Sequence, residues 1–193
     1  RSSVNWLDLN AYFENRKGQF DYPLYAKGGI HWTCLGSYEG MSEIIDYCGK
    51  TASKVTPSIT WSRPFLRKLN PDIDIFNILN LNRGWEEVDL KFAKLIEDTT
   101  TSKPNVLVVS DSYFNAPYWS GISKTYFSNE FNYYYYNKTE WDANYNSQPV
   151  DKSKLIGKTK NRDYIIIMST VMNLANFGWG FIDEVYNTNY PKN

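Results

Sequence analysis

An unbroken apolar run that ends in polar residues constrains the fold of this chain most strongly. Residues 106–109 read Val-Leu-Val-Val, and Ser110, Asp111 and Ser112 follow directly. Such a run, without polar alternation, is typical of a strand buried on both faces of a parallel sheet. The segment 163–168, Asp-Tyr-Ile-Ile-Ile-Met, predicts a second strand of the same kind. We therefore expect a mainly parallel sheet.

Apolar residues at helical spacing lie between and around the predicted strands. Strands that alternate with helices predict an α/β fold, and a length of 193 residues predicts one domain spanning 1–193. Pro117 suits the first turn of a helix after the strand at 106–109. The other predicted helices cover 3–17, 35–48, 85–96 and 179–186, and shorter strands are predicted at 58–61, 72–76 and 133–136.

Ser112 is the candidate nucleophile of this sequence. Ligands of an open parallel sheet bind beyond the carboxyl ends of its strands, and Ser112 comes just after such a strand. Backbone amides at this kind of turn can also face a developing oxyanion. The alternative reading is ordinary turn and cap chemistry, for which Asp-Ser is equally suited.

The only histidine, His31, lies in the segment Gly28-Gly29-Ile30-His31-Trp32, just ahead of the second predicted helix. A serine hydroxyl that attacks a carbonyl needs a neighbouring base, and this chain offers one imidazole. A Ser-His mechanism therefore depends entirely on His31. The alternative is a structural histidine that is hydrogen-bonded within its loop.

Charge and composition exclude several other functions. The 21 basic and 21 acidic residues cancel, so we expect no binding of nucleic acid or of an anionic membrane surface. No apolar stretch approaches the ~18 residues of a transmembrane helix. One histidine with Cys34 and Cys48 does not form a standard zinc site, and no glycine-rich nucleotide loop occurs, so no metal or cofactor is implied. The two cysteines could pair or stay reduced.

The aromatic content is high, with 16 tyrosines and 7 tryptophans. Aromatic rings suit both the binding of sugars and the packing of a core. Trp32, next to His31, could line a pocket or be buried in the core. The chain begins with Arg1 rather than methionine and shows no signal peptide, so it is interpreted as a fragment of a longer exported protein.

Several segments resemble the SGNH hydrolase-like family, in the branch that includes alginate O-acetyltransferase-like proteins and their Bacteroidetes relatives. The histidine segment precedes the serine segment in this branch, as it does here. The similarity extends over most of the chain, and the matching segments are 22–32, 72–74, 79–81, 106–113, 170–174 and 178–182.

The resemblance implies a three-layer α/β/α sandwich with a mainly parallel sheet. Members of this branch move acetyl groups on polysaccharides through an acyl-serine, outside the cytoplasm. Ser112, in Ser110-Asp111-Ser112-Tyr113, resembles the nucleophile of the family's Gly-Asp-Ser motif, and His31 resembles the base of its Asp-x-His-Trp motif.

This chain departs from the family where it has Gly29 in place of the motif aspartate two residues before His31. Loss of the triad acid lowers turnover about 10⁴-fold in a serine protease. Asp72, Asp74 or, less favourably, Asp111 could replace it, or a backbone carbonyl could hold the ring. The remaining alternative is a site that has lost its activity.

The leading expectation is O-acyl transfer or ester hydrolysis on a carbohydrate, with Ser112 as nucleophile and His31 as base. A catalytically silent carbohydrate-binding domain is the second, and a structural part of an exported protein is the third. Four further side chains are candidates for lining the pocket, and Asn173 is also a candidate oxyanion donor: Trp32, Tyr113, Asn115 and Asn173.

Overall fold

The computed structural model describes residues 4–26, 28–66, 75, 78–79 and 91–190. The chain divides into two compact units, an N-terminal unit Arg1–Thr101 and a C-terminal unit Ser102–Asn193. The described residues contain six α-helices and one five-stranded mixed sheet. The expected α/β class is therefore confirmed.

The N-terminal unit contains two helices that the sequence predicts. Helix α1, Leu9–Asn15, is shorter than the predicted 3–17 because it begins after Asp8, whose carboxylate accepts hydrogen bonds from the N–H groups of Asn10 and Ala11. Helix α2, Cys34–Ala52, contains the whole of the predicted 35–48. Its apolar stripe is buried and forms the core of this unit, including Leu35, Tyr38, Met41, Ile44 and Ile45.

The helix predicted over 85–96 is wrong for the part that the structure describes. Strand β1, Thr60–Trp61, pairs antiparallel with β4, Leu95–Ile96, and β2, Phe65–Leu66, pairs with β3, Lys91–Phe92. Pairing with residues distant in sequence outweighs the local helical spacing. The strand predicted at 58–61 is confirmed over its last two residues. Most of the strand predicted at 72–76 lies outside the described residues.

The C-terminal unit is built on the five-stranded sheet. Both predicted apolar strands are confirmed, and they pair with each other in parallel. The predicted strand at 133–136 is confirmed over residues 133–135, and it pairs in parallel with the first. Two antiparallel strands make the sheet mixed. In spatial order the strands are β8 (Ser147–Pro149), β7 (Thr139–Asp142), β6 (Asn132–Tyr135), β5 (Val106–Ser110) and β9 (Tyr164–Met168).

Helical segments pack on both faces of this sheet. On one face, the rings of Phe114 and Tyr118 lie 4.9 and 5.6 Å from the ring of Tyr133. On the other, Leu155 and Phe181 pack in one buried cluster with Tyr134. Adjacent strand residues point to opposite faces of a sheet, which is why Tyr133 packs on one face and Tyr134 on the other. The helices are α3 (Asn115–Trp119), α4 (Ile122–Tyr126), α5 (Leu155–Lys160) and α6 (Phe181–Asn189).

Neither cysteine forms a disulfide, and both lie in α2. A separation of 14 residues along a helix corresponds to about 21 Å, far beyond the ~7 Å that a disulfide can span between Cα atoms. The question that the sequence left open is therefore answered: Cys34 and Cys48 do not pair with each other. Burial raises the pKa of the Cys48 thiol from 9.0 to about 11.

We expect Cys48 to react slowly with iodoacetamide in the folded protein. With a pKa of about 11, only about one Cys48 thiol in a thousand is ionised at pH 8, roughly a hundredfold fewer than for a thiol of pKa 9.0. The alkylation rate should rise about tenfold per pH unit up to about pH 11. Mass spectrometry of the Cys48 peptide gives the rate, with urea-unfolded protein as the reference. Equal rates at pH 8 in folded and unfolded protein would contradict this expectation.

Candidate functional site

The loop that carries His31 is fixed by contacts within the N-terminal unit. His31 lies three residues before α2, as the sequence predicts, and it is half-buried. Thr33 caps α2, because its hydroxyl accepts a hydrogen bond from the Gly36 N–H and donates one to the Pro23 carbonyl. The Thr33 N–H also donates to the carbonyl of Leu24, at 2.9 Å. Through Thr33, these bonds join the end of the histidine loop to the first turn of α2 and to the backbone at Pro23 and Leu24.

Trp32 packs inside the N-terminal unit. Its side chain is 4% exposed, and its indole N–H donates to the Tyr25 hydroxyl at 3.0 Å. The ring lies against Gly40 of α2, where an added Cβ would come within 3.1 Å of it. Of the two roles that the sequence left open, core packing accounts for these contacts.

Ser112 follows β5 at the point that the sequence predicts. Strand β5 ends at Ser110, Asp111 caps a single 3-10 turn, Ser112–Phe114, and α3 continues from it. Pro117 lies in the first turn of α3, as expected. Since β5 and β9 are parallel, the segment after Met168 lies at the same edge of the sheet. Ser112 itself is half-buried.

Asp111 is the best-anchored side chain at this edge. It is fully buried, and its carboxylate accepts four hydrogen bonds. The Tyr113 N–H donates to Oδ1 at 3.1 Å. The Thr170 N–H, the Thr170 hydroxyl and the Asn173 side-chain amide each donate to Oδ2 at 2.9 Å. Asp111 thus ties the turn that carries Ser112 to the loop that follows β9.

The bonds of Asp111 bear on the choice of an orienting acid. Oδ2 of Asp111 accepts three hydrogen bonds from Thr170 and Asn173, while Oδ1 accepts one, from the Tyr113 N–H. Most of the acceptor capacity of this carboxylate is therefore used within its own unit, and its role as orienting acid stays a prediction. Asp72 and Asp74 lie outside the described residues, and their candidacy stays a prediction.

Asn173 belongs to the same hydrogen-bond network. Its side-chain amide also donates to the Thr170 hydroxyl oxygen, at 3.2 Å. The two acceptors, Asp111 Oδ2 and the Thr170 hydroxyl oxygen, are themselves hydrogen-bonded to each other, so they lie on the same side of the Asn173 amide. The role of Asn173 as an oxyanion donor stays a prediction. Asn173 was a candidate from sequence and Thr170 was not, although Thr170 begins one of the segments on which the family resemblance rests.

The hydroxyl of Tyr133 is hydrogen-bonded to the serine turn. Its buried hydroxyl donates to the Asp111 carbonyl at 2.8 Å and shares this hydrogen with Asn115 Oδ1 at 3.1 Å. Burial raises the pKa of Tyr133, so the hydroxyl remains a neutral donor. Asn115, a candidate from sequence, is thus held through its carbonyl oxygen. Tyr133 was not a candidate, because a tyrosine within a strand carries no sign of its partner.

Three aromatic rings extend along this edge beside the serine turn. The Tyr136 N–H donates to the Ser110 carbonyl at 2.8 Å, which places the end of β6 next to the end of β5. The ring of Tyr136 lies 4.6 Å from that of Tyr135 and 5.2 Å from that of Trp179. Tyr136 and Trp179 both have positive φ, at 50° and 47°, conformations that cost free energy in residues other than glycine.

The side chain of Asn137 links the turn at Tyr136 to the turn at Trp179. Its side-chain amide donates to the Trp179 carbonyl at 3.1 Å and to Glu184 at 2.9 Å. Asn137 also has positive φ, at 52°, and with Tyr136 and Lys138 it makes the three-residue loop between β6 and β7. Positions with positive φ usually carry glycine, which is why this arrangement could not be predicted from the sequence.

A cavity of about 310 Å³ lies at the opposite edge of the same sheet. Its basic lining groups are hydrogen-bonded within the protein: Arg162 donates to Asn105 and Asn132, which also line the cavity, and Lys158 donates to Glu140 of β7 at 2.6 Å. This network joins the starts of β5 and β6 to the end of α5. We therefore assign these side chains to holding the sheet together.

The described residues contain no cluster of three or more metal-ligating side chains. Among the helices of the described part, none combines the length and the apolar character needed to cross a membrane.

Comparison of the chain with protein-family models, with curated proteins and with solved structures found no match. The resemblance to the SGNH hydrolase-like family therefore rests on the motifs alone and stays a prediction.

Proposed function

We propose that this protein transfers or hydrolyses an O-acyl group, most simply acetyl, on a carbohydrate, with Ser112 as the nucleophile. The observation that carries the proposal is the position of Ser112, directly after the buried strand β5 on a turn fixed by Asp111. Loops at the carboxyl ends of parallel strands are where α/β proteins commonly bind their ligands. The proposed architecture is the three-layer α/β/α sandwich of the SGNH type.

The proposed chemistry forms an acyl-serine. The Ser112 oxygen attacks the carbonyl carbon of the ester while its proton passes to His31, the only histidine of the sequence. The tetrahedral intermediate expels the alcohol, which takes the proton back from the imidazolium. A sugar hydroxyl or water then attacks the acyl-serine, with His31 again as base, and Ser112 is restored. Backbone amides of the serine turn are the proposed oxyanion donors.

A carbohydrate as acceptor accords with the aromatic rings beside the turn. Tyr135, Tyr136 and Trp179 form a continuous set of ring contacts at the edge where β5 ends. Rings with a polar tip pack against the C–H face of a sugar and bond to its hydroxyls. In keeping with the family resemblance, we propose that the protein acts outside the cytoplasm, in the periplasm or after secretion.

A carbohydrate-binding role without catalysis is the second candidate. It is favoured by Gly29, which stands where the family motif has its aspartate, and by the hydrogen bonds of Asp111 to the serine turn and to the loop after β9. A binding role needs no orienting acid for His31, because the rings of Tyr135, Tyr136 and Trp179 are present whether or not Ser112 is activated.

Labelling with a fluorophosphonate probe tests the nucleophile. We expect the wild-type protein to be labelled and Ser112→Ala to show no labelling, because the probe reacts only with an activated hydroxyl. Ser169→Ala is the matched control, since Ser169 follows β9 at the same edge of the sheet, and it should label like the wild type. Intact-protein mass spectrometry measures the adduct, and circular dichroism verifies that each variant is folded.

His31→Gln tests the base in the same assay. It should reduce the labelling rate at pH 7 by about 10²-fold or more, the range of general base catalysis. Absence of labelling in folded wild-type protein would favour the binding role. Equal labelling of wild type and Ser112→Ala would exclude Ser112 as the nucleophile.

A further inference from the structure

A stacked pair of aromatic rings lies on the surface of the C-terminal unit, on residues that the proposed function does not use. Trp119, at the end of α3, is 57% exposed, although it is among the largest apolar side chains. Its ring stacks on that of Tyr145 with an interplanar angle of 10° and a centroid separation of 5.4 Å. We call this pair the Trp119–Tyr145 platform.

Two further rings, those of Trp141 and Tyr118, pack against the platform. Trp141 of β7 packs edge-on against Trp119, with centroids 5.5 Å apart. Tyr118 packs against both members of the platform at 5.0 and 5.1 Å, and its hydroxyl donates to the Asp142 carbonyl at 2.8 Å. Tyr118 is almost completely buried, so the platform packs directly against the core of the unit.

The loop that presents Tyr145 is fixed by the Asp142 carboxylate. This carboxylate accepts hydrogen bonds from the Asn144 N–H at 2.7 Å, the Asn146 N–H at 3.0 Å and the Asn146 side-chain amide at 2.9 Å. Tyr145 takes a positive φ of 66°, a conformation that costs free energy in a residue with a side chain. The fold thus keeps a half-buried tyrosine in a strained, preorganised position.

We propose that the Trp119–Tyr145 platform binds a hexopyranose unit of a polysaccharide. One face of a pyranose ring is lined with C–H groups that stack on an aromatic ring, while its hydroxyls point outward and need hydrogen-bonding partners. Exposed amide and hydroxyl side chains flank Tyr145 in the sequence, as this chemistry requires, and they come from Asn144, Asn146, Ser147 and Gln148.

The form of the platform favours a sugar over a protein partner. A stable protein interface buries about 800 Å² on each side around an apolar centre. Here polar residues follow the two rings directly, and the ammonium group of Lys124 lies 5.9 Å from the centre of the Tyr145 ring. This cation also suits a polysaccharide that carries uronate groups. Because binding at the platform needs neither Ser112 nor His31, the inference is independent of the proposed catalysis.

Native affinity electrophoresis tests the inference with three embedded polysaccharides: hydroxyethylcellulose, polygalacturonate and glycol chitin. We expect at least one of them to retard the wild-type protein. Trp119→Ala should weaken this binding about tenfold or more, which corresponds to the loss of a stacked ring with its buried area. Trp119→Phe, which keeps a ring, should lose less. Trp6→Ala is the matched control, because Trp6 is also highly exposed, at 62%.

Fluorophosphonate labelling of Ser112 is a separate readout, so retardation that Trp119→Ala weakens supports the platform even if wild-type protein is not labelled. Absence of retardation by all three polysaccharides would overturn the inference, and so would equal retardation of wild type and Trp119→Ala. If size-exclusion chromatography shows that Trp119→Ala changes the oligomeric state while polysaccharide binding is unaffected, the platform is a protein contact and the inference is wrong.

Discussion

Replacing Asp111 by alanine is expected to lower the free energy of unfolding by about 3 to 5 kcal/mol. The substitution removes the acceptor for four donors at a fully buried position, and each buried donor left without a partner costs about 1 to 3 kcal/mol. Because domains are typically stable by only about 5 to 15 kcal/mol, this loss brings the C-terminal unit close to unfolding. Urea denaturation followed by tryptophan fluorescence measures the change.

Asp151 provides the matched control for this experiment. Like Asp111, it caps a three-residue 3-10 turn, Lys152–Lys154, and accepts a hydrogen bond from the N–H two residues later. Its side chain is exposed, however, so water replaces the carboxylate when it is removed. Asp151→Ala should therefore destabilise the protein several-fold less than Asp111→Ala. Similar losses in the two variants would show that burial of the Asp111 network contributes little.

The strand before Asp111 could be predicted from sequence, whereas the role of Asp111 could not. The run 106–109 is apolar at every position, and such a pattern has few interpretations other than a buried strand. Three of the four donors to Asp111, by contrast, belong to Thr170 and Asn173, some 60 residues further along the chain. They reach the carboxylate only because β9 pairs in parallel with β5, and a single sequence does not state that pairing.

The segment that ends at Ile96 illustrates a second limit of sequence interpretation. Phe92, Leu95 and Ile96 have the spacing of a helical face, but in the structure they belong to strands of two residues each. Strands this short are too brief to show the alternation that identifies a strand. Their state is decided by antiparallel pairing with residues 60–66, which is a tertiary contact.

The candidate site was predicted in part. The position of Ser112 after a buried strand and that of His31 before a helix are confirmed, because both follow from local patterns. The aromatic residues beside the serine turn were missed, since Tyr136 and Trp179 adopt positive φ without being glycine. The assignment of His31 as the base of Ser112 rests on its being the only imidazole and remains a proposal.

Replacing Gly36 by alanine is expected to destabilise the N-terminal unit by about 2 to 4 kcal/mol. Glycine in a helix interior is normally less stable than alanine by about 0.5 to 1 kcal/mol, so the intrinsic effect of the change is favourable. At Gly36, however, an added Cβ would lie 2.2 Å from the backbone oxygen of Leu24. The same oxygen accepts the hydrogen bond from the Thr33 N–H, so relief of the clash weakens this bond as well.

Gly157→Ala supplies the opposite expectation within the same protein. Gly157 lies in α5, and an added Cβ would have no neighbour within 4 Å, so alanine should stabilise its helix by about 0.5 to 1 kcal/mol. Thermal and urea unfolding of both variants should therefore change in opposite directions, and changes of equal sign would contradict the packing seen at Gly36. Because the displaced Leu24 backbone holds the loop of His31, Gly36→Ala should also slow fluorophosphonate labelling if His31 is the base, whereas Gly157→Ala should leave labelling unchanged.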